Sequence, residues 1–148
     1  MTFTVSFNLQ FGLEYQRYPK QERDAVNSFV VLYMQHGLGD QTKYPGRITP
    51  SWLNLPTNDP NYQFAIDNAL WHYHVGVPTY SGVQAFNRTS DWVLHFQWFN
   101  RGSHIDLADL YQHYTVSGAF YLPPSQNLVG APVASPAPTP DPADPSAS

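Results

Sequence analysis

The chain has 148 residues, 42% hydrophobic and 16% aromatic, which suits one core of ordinary size and excludes a chain disordered throughout. Charged residues make up only 12%, and seven lysines and arginines against eleven aspartates and glutamates leave a formal charge of −4. With no cysteine, disulfides, iron–sulfur clusters and thiolate zinc sites are excluded. Only Lys20 and Lys43 are lysines, so a polyanionic ligand has to meet a focused site and not a broad basic surface. No apolar run approaches the ~18 residues of a membrane span, and Met1–Val5 lacks the basic start of a secretory leader. A cytoplasmic protein without membrane partners is expected.

Phe3, Val5, Phe7, Leu9 and Phe11 alternate with polar residues, which predicts a half-buried strand over Thr2–Phe11. Val26, Phe29, Val30, Tyr33 and Met34 then repeat at helical spacing. Pro19 opens this helix and Gly37 and Gly39 stop it, giving a range of Pro19–His36. The stretch 39–62 holds Pro45, Pro50, Pro56 and Pro60 and reads as a long irregular excursion, with a short turn of its own at Ser51-Trp52-Leu53. Strands are predicted over Phe64–Val75, Asp91–Phe99, Ile105–Leu110 and Val116–Leu122, with a hairpin turn at Asn100-Arg101-Gly102. In Asp91–Phe99, Trp92, Leu94, Phe96 and Trp98 share the expected core face, opposite Val93, His95, Gln97 and Phe99. This order predicts a single α+β domain over 1–128, in which an N-terminal strand and helix pack on a curved, mainly antiparallel sheet. Six prolines in the last eighteen residues predict a disordered tail over 129–148.

Five of the six histidines fall within the forty-two residues from His72 to His113. His72 and His74 lie on one face of a strand, about 7 Å apart along it, and His95 follows on the next strand. Histidine alone titrates near neutral pH when unperturbed, so such a cluster points to acid–base chemistry. A His-x-His pair is also a two-ligand metal spacing, which His95 or His113 would complete and Asp91 could supplement. Phosphate-cradling glycine loops and nucleophile elbows are absent from the sequence.

The N-terminal strand, the helix over Pro19–His36, and the runs Leu70-Trp71-His72-Tyr73-His74-Val75-Gly76, Arg88-Thr89-Ser90-Asp91-Trp92-Val93-Leu94-His95-Phe96 and Asp109-Leu110-Tyr111-Gln112-His113 carry a resemblance. Over residues 1–125 the chain resembles the RelE/ParE toxin superfamily of bacterial toxin–antitoxin systems. The resemblance implies a metal-independent endoribonuclease without cofactor, whose partners are RNA, at the ribosome, and a cognate antitoxin protein. It implies catalytic roles for His72, His74 and His95 as base and acid and for Arg88 as the cation facing the phosphorane. It places Ser90 and His113 against the substrate, with Tyr73 or Tyr111 stacking a base. A ParE-like domain would instead bind a protein through the same sheet face, and a structural domain would leave the histidines incidental.

Overall fold

A computed structural model describes residues 2–82 and 85–130. From residue 131 onward, the expected tail lies outside the described residues. Strands β1 (Thr4–Phe7), β2 (Ile48–Pro50), β3 (Leu70–His74), β4 (Trp92–Gln97) and β5 (His104–Gln112) form one sheet in the order β1-β5-β4-β3-β2. The β2–β3, β3–β4 and β4–β5 pairings are antiparallel, and β1–β5 is parallel. With helices α1 (Leu9–Tyr15), α2 (Lys20–His36) and α3 (Pro60–Asp67), the fold is α+β, as expected. Among the described residues no helix is long and apolar enough to cross a membrane.

Helix α2 buries Val26, Phe29 and Tyr33, one stripe at helical spacing, and leaves Met34 exposed. Pro19 is its N-cap, and it ends where Gly37 takes φ +65° and returns its N–H to the Tyr33 carbonyl at 2.7 Å. The stripe packs on one face of the sheet against Tyr73, Leu94 and Phe96; Phe29 stacks on Tyr73 with ring centroids 4.7 Å apart. Leu94, Phe96 and Trp98 belong to this core as expected, while Trp92 is partly buried at its margin.

Three expectations need correction. The first strand ends at Phe7, because the Asn8 side chain accepts hydrogen bonds from the Gln10 and Phe11 N–H groups and starts α1. The stretch Phe64–Val75 is not one strand: Asp59 caps α3, Pro60 occupies its first turn, and β3 begins only at Leu70. Val116–Leu122 forms no strand and is reached by a single bridge between Tyr114 and Phe120.

The second face of the sheet is also buried. At the His95/Phe96 step of β4 the pairing slips, so that His95 opposes Asp109 and Phe96 opposes Leu107, leaving Ala108 as a bulge in β5. The bulge lets Leu107 and Leu110 both join the α2-side core and turns Asp109 toward His95. The segment after β5 then folds back across this face. Tyr121 donates its hydroxyl to Asp109, the Asn127 amide donates to the Ala108 carbonyl at 2.9 Å, and Val129 pairs with Gln97. The packed chain thus extends through Val129, one residue past the expected boundary.

Candidate functional site

Strand β3 alternates, so Trp71 and Tyr73 enter the α2-side core while His72 and His74 point to the second face. His95 is the cross-strand partner of His72, with ring centroids 5.9 Å apart. His113, just past the end of β5, is fixed by its N–H to the Asp91 carbonyl at 2.7 Å. Its ring stacks on His74 at 5.2 Å and lies 5.3 Å from His72. One ring nitrogen from each of His72, His74 and His113 lies within 4.8 Å of the others. Phe120, from the returning segment, covers the cluster at 5.2 Å from His72 and 5.0 Å from His113.

Hydrogen bonds hold two of these rings. His74 Nδ1 is 2.8 Å from the Ser90 carbonyl oxygen and 2.9 Å from the Ser90 nitrogen. His72 is hydrogen-bonded to the Ser51 hydroxyl through Nδ1 at 3.0 Å and to the Thr49 hydroxyl through Nε2 at 3.2 Å. His113 Nδ1 and both ring nitrogens of His95 are buried with no hydrogen-bond partner among the described residues.

Burial sets the charge state of the cluster. Loss of hydration holds His72 well below the ordinary imidazole value, and the neighbouring His95, His74, His113 and Arg47 push the same way. Burial lowers His74 to about 4, against the opposing Ser90 carbonyl, and lowers His95 to about 3, with His113 and His74 adding to it. His113 is lowered by burial and Arg47 and raised by Asp91. All four rings are therefore neutral at pH 7.

The cluster opens on a cleft of about 440 Å³, lined by His72, His74 and His113 together with Arg47, Asp91 and Tyr114. Of the residues expected at the site, His72, His74, His113 and Ser90 meet there. His95 sits behind His72, sealed from the cleft. Tyr73 is not a stacking platform, because strand alternation buries it against Phe29 and Tyr44. Tyr111 packs between Trp92 and Tyr121, outside the cleft. Arg88 is not the cleft cation either: its guanidinium lies 4.9 Å over the Tyr80 ring.

The cation in the cleft is Arg47, which sequence reasoning passed over inside the proline-rich excursion. Its N–H donates to the Arg88 carbonyl at 2.9 Å and its carbonyl accepts from the His74 N–H at 3.0 Å, so Arg47 and Arg88 are backbone neighbours whose side chains diverge. Gly46 permits this approach, since a Cβ there would collide with the His74 carbonyl oxygen. Tyr114 was also missed; it is exposed and packs on His113 with centroids 4.4 Å apart. Family models, curated proteins and solved structures were all compared with the chain, and none matches.

Proposed function

We propose that the cleft binds and cleaves RNA, the activity implied by the RelE-like resemblance, with its residues reassigned. What supports this reading is the convergence of His72, His74, His113 and Arg47 on one open cleft. Arg47 supplies the permanent positive charge that a phosphodiester requires and that neutral imidazoles lack. In this reading an imidazole of the cluster takes the proton of a ribose 2′-hydroxyl as that oxygen attacks phosphorus, and the departing 5′-oxygen takes its proton from water. Tyr114, the exposed aromatic at the cleft wall, offers the stacking surface first sought at Tyr73 and Tyr111. In this reading the protein works in the cytoplasm on ribosome-bound or free RNA and is restrained by a cognate antitoxin.

Burial removes one part of the expected mechanism. An imidazolium acid paired with an imidazole base needs one ring protonated near neutral pH, and every ring of the cluster is held neutral. Purified full-length protein incubated with single-stranded RNA tests the reading, with the products resolved on a gel. Wild type should cleave, and His74→Ala and Arg47→Ala should each slow cleavage by about 10²-fold or more. RNA left whole by the wild type, both free and in the presence of ribosomes, refutes it.

A further inference from the structure

We propose that His72, His74 and His113 form a binding site for a divalent transition-metal ion of the zinc class. Three neutral nitrogen donors converge from two elements of one sheet, and their ligand atoms lie within 4.8 Å of one another. In a tetrahedral site with Zn–N of about 2.0–2.1 Å the donors stand roughly 3.3 Å apart. Closing that gap requires rotation of the rings, which for His72 exchanges the Thr49 hydroxyl contact at 3.2 Å for the ion, while β3 and the end of β5 hold the backbones.

The surroundings of the rings have the form of a metal shell. A ligating histidine normally donates its second ring N–H to a carbonyl or other acceptor, which fixes the tautomer and exposes a lone pair on the other nitrogen. His74 is anchored in this way by Ser90, whose carbonyl lies 2.8 Å and whose N–H lies 2.9 Å from Nδ1, so the ring is fixed and Nε2 is the nitrogen left for an ion. The Ser51 hydroxyl beside His72 Nδ1 offers the same kind of support. His113 supplies the independent sign of a missing ligand, since its Nδ1 is buried with no hydrogen-bond partner among the described residues.

Imidazole donors select zinc, cobalt, nickel or copper over magnesium and calcium, which require oxygen ligands. Arg47 opposes a cation here, and the Asp91 carboxylate on the same cleft offsets it. Three protein ligands leave a fourth position facing the cleft, which is the arrangement of a catalytic and not a closed structural site. A bound ion would add the Lewis-acid charge that the neutral imidazoles lack.

The test uses untagged full-length protein, stripped with chelator and titrated with Zn²⁺ by calorimetry and with Co²⁺ by visible absorption. One ion per chain should bind, and Co²⁺ should show the intense bands of tetrahedral coordination. His113→Gln and His72→Gln, each checked for folding by circular dichroism, should weaken binding by more than the ~10–100-fold typical of outer-shell changes. His104→Gln, at the exposed far edge beside Ser6, should bind as wild type does. No uptake of either ion at micromolar concentration, or uptake that survives both cluster variants, overturns the proposal. The readouts involve no RNA, so a chain that binds zinc while leaving RNA whole supports this site and refutes only the ribonuclease reading.

Discussion

Gln97 pairs its side-chain amide with the backbone of Val129 in both directions: Nε2 donates to the Val129 carbonyl at 2.9 Å, and Oε1 accepts from the Val129 N–H at 2.8 Å. The same Nε2 reaches the Asn68 carbonyl at 3.1 Å. A glutamine with no exposed surface in the middle strand thus clamps the returning segment onto the second face of the sheet. That segment also carries Tyr114 and Phe120, which are bridged to each other and pack on His113 at the cleft.

Gln97→Leu removes these partners and leaves buried backbone groups unsatisfied. It should lower stability by about 1–3 kcal/mol, read from the urea midpoint. A midpoint unchanged within error would mean that the Val129 end of the segment is not clamped by Gln97.

On the opposite face, Phe96 is fully buried and its ring lies 5.5 Å from that of Phe29. Phe96→Ala deletes the ring that meets Phe29 of α2 and should cost about 3–5 kcal/mol. A melting temperature shifted by only a degree or two would contradict this packing.

These two positions show what was legible. Alternation assigned Leu94 and Phe96 to the core, because a strand's period is local. The same alternation misread Leu9 and Phe11, where Phe7, Phe11 and Tyr15 also fit a helical stripe and the cap at Asn8 decides between them. Asp59-Pro60 was a legible helix start that the apolar run after Phe64 masked. The histidine cluster was legible in part, since His72 and His74 share a face by spacing alone. Its depth was not: His95 and Gln97 lie on the face opposite the expected core, and a segment some twenty to thirty residues later buries them. Arg47 was invisible for the same reason, as its place depends on pairing with Arg88 and His74 across gaps of 41 and 27 residues.

Acid should destabilise the chelator-treated protein. His95 at about 3 and His74 at about 4 in the folded state lie below the ordinary unfolded value of ~6.5, so the unfolded chain binds protons that the folded chain refuses. Their contribution is full above pH ~6.5 and is lost as pH falls toward the folded values. Asp109 acts oppositely: burial raises it to about 6, against the Tyr121 hydrogen bond, so its contribution is present in acid and lost as pH rises from ~4 to 6. Several depressed rings against one raised carboxyl leave a net loss from pH 7 to pH 5, at up to ~1.4 kcal/mol per pH unit for each proton taken up. His95→Leu should flatten that slope in denaturant titrations at each pH. An equal slope in wild type and variant would mean that His95 is protonated in the folded chain.

The choice between Arg47 and Arg88 separates the three-dimensional site from its sequence reading. Both arginines lie near the histidines in the fold, and their backbones are hydrogen-bonded to each other. Only Arg47 lines the cleft, whereas Arg88 spends its charge on the Tyr80 ring. If the cleft cleaves RNA, Arg47→Ala should reduce the rate by about 10²-fold or more, because a cation facing developing phosphorane charge is worth several kcal/mol in the transition state. Its exposed position means that folding should be unaffected. Arg88→Ala should cost stability through the lost ring contact, about 0.5–1 kcal/mol, and leave the cleavage rate of the folded fraction near wild type. Arg47→Lys should recover part of the rate, since it restores the charge without the bidentate fork. Single-turnover cleavage assays on the three variants, each matched to its folded fraction, read these differences directly. A rate lost in Arg88→Ala and kept in Arg47→Ala would return the catalytic cation to the position that the sequence alone suggested and exclude the cleft as the place where phosphate is held.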